Sequence, residues 1–414
     1  MVRRAAIVAI GSELLCGDGL DTNSRWLSQR LEGLGLRVVL HLSCPDEVGA
    51  ILDALRFAAE RAQVLLTTGG LGPTRDDLTR EAVARWAGVS LQLHEPSLER
   101  IRQLFARFGR DMPASNRVQA ELPVGARVID NEVGTASAFS LDHAGTRLYA
   151  LPGVPREMRW LWENALAGEL ESADAAPPAR RTFRTVGISE SALGERLLSV
   201  EERPGVEVRY AAEERLGTIR VTLLHEDQDA VQDAWREARD LLGEHVCAVG
   251  GDTLAESLAG LLHARGLRVA TAESCTGGRA AAALTALPGI SRRFLAGFVT
   301  YSNRAKVRDL GVSEELLAAR GAVCPEVAAA MARGARARAG ADLGLGVTGV
   351  AGPGGGSSEK PVGLVHMAAA GPGDDDLRLL ERRFPGDRDL VQARATAAAL
   401  DLLRRAAGGG AATG

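Results

Sequence analysis

The chain has 414 residues, 46% hydrophobic and 25% charged, with a formal charge of −4; that length exceeds one ordinary core, so two or three domains are expected. The near balance of 49 basic and 53 acidic side chains supplies no basic face for tight nucleic-acid binding. No apolar run approaches the ~20 residues of a membrane span, and five dispersed cysteines with no C-x-x-C pair suggest neither a disulfide framework nor a zinc site.

The first apolar run, in "RRAAIVAIGSELL", is too short for a signal peptide and reads as a strand, so a cytoplasmic protein is expected. "TNSRWLSQRLEGLG" places Leu27, Leu31 and Leu34 on one helical face, with Thr22 or Asn23 as a cap. "RVVLHLSC" is a second strand, "DEVGAILDALRFAAERA" a second helix and "QVLLTTGG" a third strand. That alternation argues for a parallel sheet with helices on both faces. "SAFSLDHAG" and "TRLYALPG" read as a hairpin turning at 142–145, and a helix follows "PGVPREM" to about 168. "ESADAAPPARR" is a linker by composition. From 181 to about 247 the order strand, helix, strand, strand, helix describes a small α+β unit. "AVGGD" marks a second boundary, after which the α/β rhythm resumes and ends in a helix over 387–407.

"ATAESCTGGR" at 270–279 sets two candidate nucleophiles, Ser274 and Cys275, where a strand meets a helix. Free amides at a helix start favour negative charge, so a nucleophile there would have an oxyanion hole built from its own following amides. The same stretch is equally described as a helix cap beside a buried cysteine. Other segments add Tyr301 and Lys306 after the next strand, Thr348 and a glycine-dense loop after another, and Arg388 at the start of the last helix. In a parallel sheet these ends share one crevice. A lysine of lowered pKa can serve a serine as base. A cysteine needs a partner to hold its thiolate, and neither His263, in a helix, nor His366, inside a strand, sits at a strand's carboxyl end.

In "TTGGLGPTRDDLT", Gly69, Gly70 and Gly72 would let backbone amides face a phosphate, with Asp76 and Asp77 at the same crevice. Glycines with acids suggest a nucleotide held with a divalent cation. The alternative is a plain strand–turn–helix connection in which Asp76 or Asp77 caps the helix.

Taken together, "AIGSELL", "TTGGLGPTRDDLT", "LPGVPREM", "TAESCTGG", "VTYSNRAKVRDLGV", "VTGVAGPGGGSSEKPVG" and "FPGDR" resemble the competence/damage-inducible protein A (CinA) family over nearly the whole length. The resemblance implies three α/β parts and a tail. A molybdopterin-binding-like domain with a parallel or mixed sheet spans 1–172, and a small KH-like α+β domain 173–250. A nicotinamide-nucleotide amidase domain spans 251–409, and 410–414 is a disordered tail. For the last domain it implies hydrolysis of nicotinamide mononucleotide (NMN) to nicotinate mononucleotide and ammonia. Ser274 is then the nucleophile, Tyr301, Lys306 and Thr348 complete the catalytic set, and Cys275, Thr276, Gly277, Gly352, Gly354 and Arg388 line the substrate, without a cofactor. For the first domain it implies ADP-ribose pyrophosphatase activity, with Glu13, Asn23, Gly69 and Gly70 at the substrate and Asp76 and Asp77 on a divalent metal. A homodimer without nucleic-acid or membrane partners is expected. Relatives usually read G-T-A-P-G-F where this chain has "GTASAF", so Ser137-Ala138 replaces a rigid turn and a close-approach glycine. Cys324 stands where relatives often carry serine. A molybdopterin-binding protein and a non-catalytic competence or DNA-damage adaptor are the alternatives; the first leaves the Ser274–Lys306 set without a task, the second leaves both sites without one.

Overall fold

The computed structural model describes residues 3–171, 177–373 and 376–408. The expected tail at 410–414, and residues 172–176 of the expected linker, lie outside the described residues. The chain divides into two compact units, Met1–Pro177 and Pro178–Gly414.

The first unit runs β1 (Arg4–Ile10), α1 (Ser12–Cys16), α2 (Thr22–Gly33), β2 (Arg37–Cys44), α3 (Val48–Ala59), β3 (Val64–Thr68), α4 (Thr79–Ala87), β4 (Leu91–Leu93) and α5 (Glu95–Arg107). It continues with β5 (Glu121–Pro123), β6 (Arg127–Ile129), β7 (Ala138–His143), β8 (Thr146–Leu151), α6 (Pro155–Leu161) and α7 (Ala167–Leu170). Six strands form a mixed sheet in the order β2-β1-β3-β8-β7-β6. The first four are parallel, β7 runs antiparallel to β8, and β6 antiparallel to β7. β1 is apolar because it is covered on both sides. Its Ala6, Val8 and Ile10 pack with Ile51 and Leu55 of α3, while Ala5 and Ile7 pack with Leu27 and Leu31 of α2.

The β7–β8 turn carries positive φ at both Ala144 and Gly145, the backbone that closes a two-residue hairpin. Asp21, rather than Thr22 or Asn23, caps α2; its carboxylate accepts from the Ser24 amide. That frees the Asn23 side chain for longer-range work.

The second unit begins with β9 (Ala179–Thr185), α8 (Glu190–Glu201), β10 (Glu207–Glu213), β11 (Thr218–His225), α9 (Gln228–Leu242) and β12 (Val246–Val249). These strands form an antiparallel sheet ordered β10-β11-β9-β12. The "AVGGD" segment, read from sequence as a boundary, thus contributes Ala248 and Val249 to the edge strand β12. Then come α10 (Leu254–Arg265), β13 (Val269–Glu273), α11 (Arg279–Thr285), β14 (Phe294–Val299), α12 (Asn303–Leu310), α13 (Glu314–Arg320), α14 (Pro325–Ala339), β15 (Leu343–Gly349), β16 (Leu364–Ala370), β17 (Leu377–Arg383) and α15 (Arg388–Ala406). Their sheet order is β14-β13-β15-β16-β17. β13, β14 and β15 are parallel, β16 runs antiparallel to β15, and β17 antiparallel to β16. Helices α10 and α15 cover one face. α14 lies on the other, close enough that a Cβ at Gly344 or Gly346 would overlap carbonyl oxygens of Ala332 and Ala328.

Candidate functional site

In the five-stranded sheet the chain leaves β13, places β14 on one side of it and returns to place β15 on the other. The carboxyl ends of β13 and β15 therefore flank a topological switch point, where open α/β sheets form a crevice. The residues at those two ends are Ser274 and Thr348. Side chains alternate along a strand. Ala270 and Ala272 pack against Val327 and Met331 of α14, so Ser274 continues toward the face of α12–α14. There it meets Lys306. The Lys306 ammonium donates to Ser274 Oγ at 3.0 Å and to the Thr300 carbonyl at 2.7 Å. Lys306 is 1% exposed, and burial lowers its pKa to about 8. Ser302 caps α12 through a 3.1 Å bond from the Ala305 amide, which fixes the turn that carries Lys306.

Cys275 faces the other way, into the core with Leu258 and Leu284. Burial raises its thiol pKa to about 12, so it stays protonated at neutral pH. Its carbonyl accepts from Gln392 Nε2 of α15 at 2.7 Å.

Tyr301 and Thr348 differ from the expected catalytic set. Tyr301 is 62% exposed and turns outward, its hydroxyl accepting from Arg388 at 2.8 Å. The Thr348 hydroxyl is spent on the Ala322 carbonyl at 2.7 Å. Arg388 also donates to the Gly352 carbonyl at 2.7 Å. So Arg388, Tyr301 and Gly352 come together at the rim, with exposed Gly354 in the same loop. Because β16 is antiparallel, His366 pairs directly with Thr348 and lies level with the crevice, which its mid-strand position in sequence concealed. Its Nδ1 lies 3.5 Å from Glu381 Oε2.

The turn after Ser274 departs from the expected oxyanion geometry. The Gly277 amide donates to the Ser274 carbonyl at 3.1 Å. The amides of Ala280 and Ala281 donate to the carboxylate of Glu273 at 3.0 and 2.8 Å. The first turn of α11 is therefore already filled by an internal anion. Thr276 is buried, and its hydroxyl also donates to Glu273, at 2.7 Å; it does not face the crevice. Sequence reading passed over Glu273, the strand-end acid one residue before the candidate nucleophile.

In the first unit the switch point lies between β1 and β3. Gly69 and Gly70 hold positive φ there. A Cβ at Gly69 would overlap the Ile10 carbonyl, and one at Gly70 the Thr79 hydroxyl. Asn23 donates to Thr68 Oγ1 at 3.0 Å and to the Gly153 carbonyl at 2.8 Å, while its buried Oδ1 has no hydrogen-bond partner among the described residues. Glu13 is exposed on α1, its carboxylate beside Gly11.

The loop amides do not all point outward as expected. Asp77 accepts from the amides of Gly72 and Thr74 at 2.7 and 2.8 Å, and from the Thr74 hydroxyl. Neither Asp76 nor Asp77 caps α4, whose first position has no side-chain cap. Buried Arg80 donates to the carbonyls of Leu71 and Gly72 at 2.7 and 2.9 Å. The loop thus sends amides to Asp77 and carbonyls to Arg80. A carboxylate offers about four acceptor positions, and three on Asp77 are taken; Asp76 is exposed. Among the described residues no three His, Cys, Asp or Glu side chains group to hold an ion. Asp76 and Asp77, as arranged, do not fit a divalent cation. Ser137 is buried and accepts from Arg100 at 3.0 Å, and Asn131 holds the neighbouring Ala136 carbonyl at 3.0 Å. Side-chain bonds thereby pin the turn that lacks its Pro-Gly.

Residues 251–407 match the family model described as the CinA C-terminal domain, and 6–172 match the one described as "Probable molybdopterin binding domain". A CinA-like protein of Geotalea daltonii is 41% identical over 97% of this chain and 98% of its own length. One of Kosmotoga olearia is 37% identical over the same shares. Among solved structures, the protein CinA of Thermoplasma acidophilum is 31% identical, with a TM-score of 0.39 over 41% of this chain and 98% of its own. A competence/damage-inducible protein from Agrobacterium tumefaciens is 42% identical, with a TM-score of 0.35 over 37% of this chain and 92% of its own.

Proposed function

Because the chain belongs to the family of CinA-like proteins, we propose that its second unit is a serine amidase that hydrolyses NMN to nicotinate mononucleotide and ammonia. The observation that carries this reading is the 3.0 Å contact between Ser274 Oγ and a fully buried Lys306. A neutral Lys306 keeps one N–H on the Thr300 carbonyl and turns its lone pair to the serine hydroxyl. Ser274 Oγ attacks the carboxamide carbon as Lys306 takes its proton. The resulting oxyanion is held by amides of the Ser274–Gly278 turn other than those of Ser274 and Gly277, which serve backbone carbonyls, since those of Ala280 and Ala281 serve Glu273. Lys306 returns the proton to the departing nitrogen, which leaves as ammonia. Water, activated by the same lysine, then cleaves the acyl ester and frees Ser274. Arg388, with Tyr301, holds the nucleotide phosphate at the rim. The test is ammonia release from NMN by the purified chain. Turnover lost in Ser274→Ala and Lys306→Met but kept in Cys275→Ala supports the reading; a dead Cys275→Ala beside an active Ser274→Ala overturns it.

For the first unit we infer ADP-ribose hydrolysis. The crevice formed by Gly69 and Gly70, with the unfilled acceptor Asn23 Oδ1 at its edge, favours a polar nucleotide over an apolar ligand. No step is assigned to a metal, because Asp76 and Asp77 do not fit one. Chelation decides that point separately: loss of ADP-ribose cleavage with NMN cleavage intact assigns an ion to this unit.

A further inference from the structure

We propose that Glu273 is a positioning residue that sets the attack geometry of Ser274; this rests on the amidase reading above. Glu273 is 0% exposed. A carboxylate so placed is retained only where hydrogen bonds replace its water. It receives three, from the Thr276 hydroxyl and the amides of Ala280 and Ala281. Its own carbonyl accepts from the Thr300 amide at 2.9 Å. One residue therefore ties together the strand end before the nucleophile, the turn after it, the first turn of α11 and the residue whose carbonyl holds Lys306.

The Ser274–Gly278 turn has few other anchors. The Ser274 amide donates to the Val347 carbonyl at 3.0 Å, and Gln392 holds the Cys275 carbonyl. Thr276 is the midpoint of the turn, and its side-chain anchor is Glu273. Replacing the carboxylate by an amide keeps the shape but sets an NH2 group against a backbone N–H. The turn must then shift to relieve that contact, and a misplacement near 1 Å at a reacting group costs on the order of 100-fold in rate. Glu273 does not touch Lys306 or the rim around Arg388, so substrate binding should be spared.

The experiment compares steady-state NMN deamidation by the full chain carrying Glu273→Gln, Thr276→Val or Thr276→Ser, with thermal melting of each. Glu273→Gln and Thr276→Val are expected to lower kcat by ~10- to 100-fold with KM within about twofold, in protein that remains folded at the assay temperature. Thr276→Ser keeps the hydroxyl and should restore most of the rate. Folded Glu273→Gln with wild-type kcat overturns the assignment; if that variant fails to fold, wild-type kcat in Thr276→Val overturns it. If the wild-type chain releases no ammonia, the amidase reading fails by itself. Amide exchange over 274–281 then decides: unchanged exchange in Thr276→Val overturns the role of Glu273, and faster exchange confined to that turn supports it.

Discussion

Lys306 owes its lowered pKa to burial, and that single property sets the expected pH response. The base must be neutral, so amidase rate rises with pH and reaches half its plateau near pH 8. A profile flat across that range, with substrate saturating, contradicts Lys306 as base. The same shift acts on stability. Between about 8 and the ordinary lysine value of 10.5 the unfolded chain binds more protons than the folded one, so stability rises with pH over that window. Lys306→Met removes the buried charge and should flatten this rise in melting experiments. Ser274 and Lys306 were legible from sequence because each follows a strand end, and Arg388 because it opens the last helix. The task of Thr348 was not, since which of two neighbours a hydroxyl chooses depends on the loop that passes over it, here at Ala322. Glu273 was hidden because a strand-end acid is commonly solvated, and its three partners follow it by three to eight residues in a turn whose path sequence does not specify.

At the scale of elements, α12 carries the base on a helix of eight residues whose start depends on Ser302. Ser302→Ala should cost about 1 kcal/mol, read as a lower denaturation midpoint, and should reduce kcat by loosening the turn that holds Lys306. Unchanged stability and rate would show that packing alone fixes α12. In the first unit, Asp77 closes its own loop. Asp77→Ala releases the amides of Gly72 and Thr74, and ADP-ribose hydrolysis should fall while NMN deamidation stays at the wild-type rate. A parallel fall in both activities would contradict two separate sites. The parallel cores of both sheets were readable from strand–helix alternation. The reversal at β16 was not: the glycine-rich loop at 350–363 gives no direction, and β17, with Arg378, Glu381, Arg382 and Arg383 in seven residues, reads as surface loop. α5 was missed for a related reason, being rich in charge with its apolar face set by tertiary packing, whereas α4 was read only as the helix that would follow the glycine loop.

For the whole molecule, the two units each place glycine-bearing loops at a switch point, and the residues of the Ser274 site all lie between 273 and 392. A fragment of 251–414 should therefore deamidate NMN. It would lose the contacts of Arg405 with Glu244 and of Arg184 with Gly251, so its melting temperature should be lower than that of Pro178–Gly414. A folded but inactive fragment would show that the small antiparallel sheet completes the site. Ser274 as covalent nucleophile is tested most directly by rapid acid quench of the full chain with NMN, followed by peptide mass spectrometry. A nicotinate-mononucleotide ester is expected on the peptide containing Ser274, lost in Ser274→Ala together with ammonia release. An adduct on Cys275, or ammonia release that survives Ser274→Ala, would contradict it.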